Sequence, residues 1–197
     1  NNETPWTYAV YEPPLKYHYL KRPYELVPRT LAEMPSVKFV GKDGQEVPLQ
    51  TPADQIAESV FELKIEPGIQ YQPHPAFAKT AEGQYRYLAL KESDLEGKRR
   101  PYDFEHMGTR ELLAEDYAYA IKRLATPRVK SPSFGFLSEK IVGLADYGKQ
   151  IKTFNEKLKE GKSAREVGPF GHLPWLDFRE HALSGVEVLD SHTLKIR

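Results

Sequence analysis

The stretch from Thr109 to Pro132, TRELLAEDYAYAIKRLATPRVKSP, constrains the fold of this chain more tightly than any other. Leu113, Tyr117, Ile121 and Leu124 recur there at i, i+4, i+8 and i+11, with Glu115, Asp116, Lys122 and Arg123 off that line. The spacing predicts one apolar stripe of an amphipathic helix. Acids open the segment and bases close it, the order a helix dipole favours, and Pro127 stops propagation. Leu113 stands where a capping Ser or Thr would be expected, so an earlier start at Thr109 or Arg110 is anticipated.

Around this helix the chain reads as short paired strands. Val37 and Phe39 run into Lys42-Asp43-Gly44, with Glu46-Val47 as a return strand. Phe61, Leu63 and Ile65 alternate with Glu62 and Lys64, the pattern of a half-buried strand. Glu66-Pro67-Gly68 turns it, and Ile69 and Tyr71 are expected to open a partner strand. Val186 and Val188, a turn at Asp190-Ser191-His192, then Leu194 and Ile196 form a hairpin. Pro28 suits the start of a short helix, Arg29 to Glu33. A second long helix is expected from Leu144 to about Lys159, with a stripe of Leu144, Tyr147, Ile151, Phe154 and Leu158 and Gly161 at its C-terminus. Sixteen prolines, about 8% of the chain against an average near 5%, punctuate the connections. Strands that pair locally rather than alternate with helices predict an α+β fold, a largely antiparallel sheet with flanking helices.

Four segments carry a resemblance to a known family, in that family's order. They are Tyr24 to Pro35 (YELVPRTLAEMP), Val60 to Tyr71 (VFELKIEPGIQY), Ala114 to Pro127 (AEDYAYAIKRLATP) with Ser131-Pro132, and Ser184 to Ile196 (SGVEVLDSHTLKI). Together they resemble the N-terminal part of the family 5 extracellular solute-binding proteins, receptors that deliver oligopeptides and dipeptides to ABC importers. The resemblance implies the first-lobe subdomain of a type II periplasmic binding protein-like fold, with 1–197 a single subdomain of a longer, two-lobed receptor. A start at Asn1 without Met fits removal of a signal peptide or excision from a longer chain, and the sequence stops inside an alternating strand pattern. In the family a tight turn links the second block to the helix, whereas 37 residues run from Gln72 to Gly108 here. Residues 73–108 therefore read as an insertion, and 151–177 as a second expansion.

Catalytic chemistry finds little purchase. With 28 basic and 28 acidic residues the net charge is +0, so neither nucleic acid nor an anionic membrane meets a one-signed face. No apolar run is long enough to span a bilayer. The absence of cysteine removes disulfides, thiolate catalysis and Cys-ligated zinc. His18, His74, His106, His172, His181 and His192 never fall at i, i+3 or i+4, the spacing that puts two imidazoles on one helical face. Asp94 with Glu96, and Glu115 with Asp116, suit helix termini better than an acid–base pair on opposite sides of a substrate. Ser131 and Ser184 lack a nucleophile elbow, and Gly168-Pro169-Phe170-Gly171 lacks the Lys and Ser/Thr of a phosphate loop. Lys98-Arg99-Arg100, with Tyr102 and Phe104 nearby, reads as a solvated loop.

No enzyme and no cofactor are expected. In peptide receptors of the resembled family the residue after Ser-Pro can reach the ligand, which implies Ser131, Ser133 and Phe134 as ligand-binding positions. A core-anchoring role for Phe134 and Phe136 is the plainer alternative. The resemblance further implies a periplasmic protein whose partners are a peptide or other small solute and the membrane permease of an importer. A free-standing protein-interaction module, and behind it a hydrolase, are the rival readings.

Overall fold

A computed structural model describes residues 10–88, 90–129, 131–163 and 176–197. The glycine-rich segment 168–171, His172 and much of the 151–177 expansion lie outside the described residues. The chain divides into two compact units, Asn1–Ile65 with Leu113–Arg197, and Glu66–Leu112.

The first unit is α+β. Its main sheet has five strands: β3 (Ser36–Gly41), β4 (Glu46–Val47), β5 (Ile56–Lys64), β6 (Val186–Val188) and β7 (Thr193–Ile196). Their order is β4-β3-β5-β7-β6 and every pairing is antiparallel. A separate ribbon pairs β1 (Leu15–Tyr17) with β2 (Leu26–Pro28). Gly44 supplies the positive φ of 80° that the β3–β4 turn requires, which a β-carbon would strain. At the other end, Asp190 Oδ1 accepts from His192 N at 2.8 Å and fixes the β6–β7 turn. Both hairpins lie where the alternation predicts them.

Among the described residues, three α-helices complete this unit: α1 (Ala114–Leu124), α2 (Phe134–Ser138) and α3 (Leu144–Lys157). α1 does not begin at Thr109 or Arg110. The Asp116 carboxylate accepts from Leu113 N at 2.9 Å, the reciprocal half of a capping box, and Asp116 N donates to Leu113 O at 3.0 Å, so the first turn closes without a capping hydroxyl. The buried residues of α1 are Ala114 and Ala118, continued by Ala125 at its C-terminal cap and flanked by half-buried Tyr117, Ile121 and Leu124. Small side chains let the helix axis come close, and α1 packs chiefly on β6 and β7 rather than on Phe61, which is 40% exposed. α3 buries Leu144, Tyr147 and Ile151 as its periodicity requires. The next core position falls to Asn155, 1% exposed, whose Oδ1 accepts from Arg128 Nε at 2.7 Å. That bond supplies the partner a buried amide needs. With Leu176, Phe178, Leu183, Val186, Leu194, Ile65 and Leu31, these residues form the core.

Two expectations fail for one reason, the capture of backbone groups by distant partners. Arg29 to Glu33 is not helical. Thr30 is buried with its hydroxyl 2.5 Å from that of Tyr117, Ala32 N donates to Lys64 O, and Leu31 bridges Ile65. An extended chain satisfied in this way has no need of helical bonds. Ile69 and Tyr71 do not return along β5 either. Past Gly68 the chain enters the second unit, where Gln70 bridges Glu111, Tyr71 N donates to Arg110 O and Leu112 N to Ile69 O.

The second unit, Glu66–Leu112, consists of isolated bridges and 3-10 turns at Pro75–Phe77, Glu92–Leu95 and Pro101–Asp103. His74 and Gly108 exchange backbone hydrogen bonds at 2.8 and 3.2 Å. Gly108 is required there, since a β-carbon would lie 2.2 Å from Phe77 O. Pro75 and Ala78 are its buried residues.

Candidate functional site

Ser131 and Phe134 help to line one cleft of about 500 Å³ in the first unit. One wall is the C-terminal end of α1 and the loop beyond it, including Leu124, Thr126 and Val129; the other is α3, through Gly148, Lys149 and Lys152. Pro127, three residues past the last residue of α1, also lines the cleft. Thr126 is buried, and its Oγ1 accepts from Arg128 N at 3.3 Å, which holds the turn. From there Arg128 reaches Asn155 on α3, tying the loop to the opposite wall.

Gly148 shapes the interior. A β-carbon built on it would lie 2.5 Å from Cζ of Phe134, so the phenyl ring occupies the space a side chain on α3 would fill. Phe134 is half-buried by this contact, whereas Phe136 is 65% exposed and anchors nothing in the core. Ser133 is exposed at the N-terminal edge of α2 and is not part of the cleft lining. Of the three sequence-derived positions, then, two share the cleft and the third sits beside it on the surface.

The charges are those of α3. Lys149 Nζ is 2.7 Å from Asp146 Oδ1, and this hydrogen bond, with the attraction between the charges, holds the Asp146 carboxyl below its ordinary range. Lys152 forms no ion pair among the described residues, although its charge is felt by the Glu156 carboxylate one turn further along α3, and it brings a second cation to the cleft lining. An apolar wall with these cations and a serine hydroxyl can receive the backbone or a carboxylate of a small solute. Among the described lining residues no hydroxyl is hydrogen-bonded to a His, Lys or carboxylate; that of Ser138 donates to Gly135 O at 2.8 Å. Among the described residues no group of three or more His, Asp or Glu could hold a metal ion, and no helix is long and apolar enough to cross a membrane.

Sequence reasoning missed the α3 side of this site. The signal was the glycine at 148 within an otherwise strongly patterned helix, since glycine in a helix interior is unfavourable unless something packs closely on it. One position earlier on the same helix, Tyr147 donates to Phe178 O at 3.5 Å, and burial pushes its hydroxyl well above the ordinary tyrosine value. Comparisons with protein-family models, with curated proteins and with solved structures return no match.

Proposed function

We propose that this chain is a non-catalytic first-lobe subdomain of a substrate-binding receptor for ABC-type import, of the family 5 solute-binding kind, exported to the periplasm and carrying a peptide or similar small solute. The receptor would close two lobes around its ligand and then dock on a membrane permease. Closure follows because a ligand touching both lobes stabilises the closed state. Within that machine the subdomain is mainly a rigid buttress in a type II periplasmic binding protein-like fold. The Ser131 and Phe134 cleft, with Ser133 at its edge, is its point of approach to the solute.

The observation that supports this reading is how the four resembling segments come together. Leu31 of the first bridges Ile65 of the second, and Phe61 to Lys64 of the second pair with Thr193 to Ile196 of the fourth. The third, α1, packs on that same hairpin, and its first amide, Ala114 N, donates to Ser191 O at 2.9 Å. Parts of all four segments thus meet around one sheet, an arrangement that supports reading them as pieces of one lobe. Native mass spectrometry of the receptor expressed from the complete reading frame tests the proposal. Co-purifying peptides that exchange for added peptide are expected. A reading frame that encodes no second lobe, or a product that never retains solute, would overturn it.

A further inference from the structure

The second unit carries a cleft that owes nothing to the receptor proposal. It encloses about 360 Å³ between the His74 turn and the segment 98–104, with Tyr87, Leu90 and Phe104 as apolar walls. Tyr87 and Phe104 meet edge to face, centroids 5.0 Å apart, and Tyr87 is fixed by accepting from His106 N at 3.2 Å. Lys98, Arg99 and Arg100 line the same cleft.

One acid, Asp103, stands among these three cations, and it pairs with Arg100. Asp103, the one carboxylate bonded to this segment, spends Oδ2 on the backbone amides of Arg99 and Arg100 at 2.8 and 2.9 Å. Its Oδ1 lies 3.5 Å from Arg100. Lys98 Nζ donates to the Asp103 carbonyl and sits 5.4 Å from the centre of the Phe104 ring. Among the described residues neither Lys98 nor Arg99 has a carboxylate within ion-pair distance. His74 adds a donor: its Nδ1 accepts from Ala76 N at 3.1 Å, which leaves the ring proton on Nε2.

We infer that this cleft binds a small aromatic carboxylate, its ring against Tyr87 and Phe104 and its carboxylate on Lys98 and Arg99. A planar guanidinium matches a carboxylate in two parallel hydrogen bonds. An inorganic anion would leave the aromatic walls unused, and an uncharged ring would make no use of the Lys98 and Arg99 charges. A long polyanion is disfavoured, since residues 66–112 hold seven basic and eight acidic side chains. The volume suits a one- or two-ring molecule.

Isothermal titration of the 197-residue chain with indole-3-acetate tests this, beside tryptophol (uncharged), cyclohexaneacetate (no aromatic ring) and inorganic phosphate. Saturable binding of indole-3-acetate is expected, with each comparator about tenfold weaker or more, and amide shifts confined to residues 74–76 and 87–104. Arg99→Gln and Lys98→Met, both at exposed positions, should each weaken it about tenfold while leaving the circular dichroism unchanged. Affinity should fall with added salt. No saturable binding, equal affinity for tryptophol or phosphate, or unchanged affinity in both variants would overturn the assignment.

Discussion

Replacing Ile151 and Ile121 by alanine, one at a time, separates the two helices by what each buries. Ile151 is fully buried in α3, whereas Ile121 lies half-exposed beside the alanine line of α1. Truncating Ile151 removes three buried carbons, worth about 2.5 kcal/mol at roughly 0.8 kcal/mol each. The cavity left among Leu144, Tyr147 and their neighbours raises the loss to about 3 to 4 kcal/mol. Ile121→Ala forfeits about half of the transfer energy and opens little cavity, so about 1 kcal/mol is expected. Urea unfolding followed by circular dichroism reads both. With a slope of about 2 kcal/mol per molar, the midpoint should fall by roughly 1.5 to 2 M for Ile151→Ala and about 0.5 M for Ile121→Ala. Equal losses, or a larger one at Ile121, would show that α1 buries its predicted leucine–isoleucine stripe and that the alanine seam is wrong.

Gly148→Ala should lower the melting temperature and displace the Phe134 ring, because the clash with Cζ outweighs the gain in helix propensity of about 1 kcal/mol; a net rise in stability would contradict the packing of Phe134 on α3. Asn155→Ala breaks a charge-assisted hydrogen bond at a buried site and should cost about 1.5 to 3 kcal/mol by urea titration, a loss under half a kilocalorie refuting the tie to Arg128. Hydrogen bonds from Arg179 hold the Asp177 carboxyl down at about 2 against an ordinary 3.8. A depressed folded value gives stability that is present above the unfolded value and lost as pH falls through the folded one. Urea midpoints of the parent chain should therefore fall more between pH 5 and pH 2.5 than those of Asp177→Asn, and equal falls would show the pair to be idle.

What could be read from the sequence followed from local rules. The β3–β4 and β6–β7 hairpins and the body and C-terminal end of α1 are set by residues a few positions apart, so alternation, turn chemistry and helical periodicity reveal them. Arg29 to Glu33 was misread because Thr30 and Ala32 find their partners at Tyr117 and Lys64, and no local pattern encodes those pairings. The alanine seam of α1 was hidden because hydropathy weights large side chains, whereas close approach selects small ones. In the candidate site, Ser131 and Phe134 were found through resemblance alone. Lys152 and Gly148 belong to a helix whose stripe says what it buries in the core and nothing of the partner on its other face.

The most direct measurement for the central claim compares melting curves of the 197-residue chain and of the product of its complete reading frame, each with the same pool of aliphatic tri- to pentapeptides. One subdomain supplies too few contacts to offset the translational freedom and side-chain order lost on binding, so the chain alone should show no shift. The complete receptor should shift saturably, since a ligand at one hundred times its dissociation constant stabilises the folded state by about 2.7 kcal/mol. No shift in either protein would remove the receptor, and a saturable shift in the short chain, abolished by Phe134→Ala, would make it a binding module rather than a buttress.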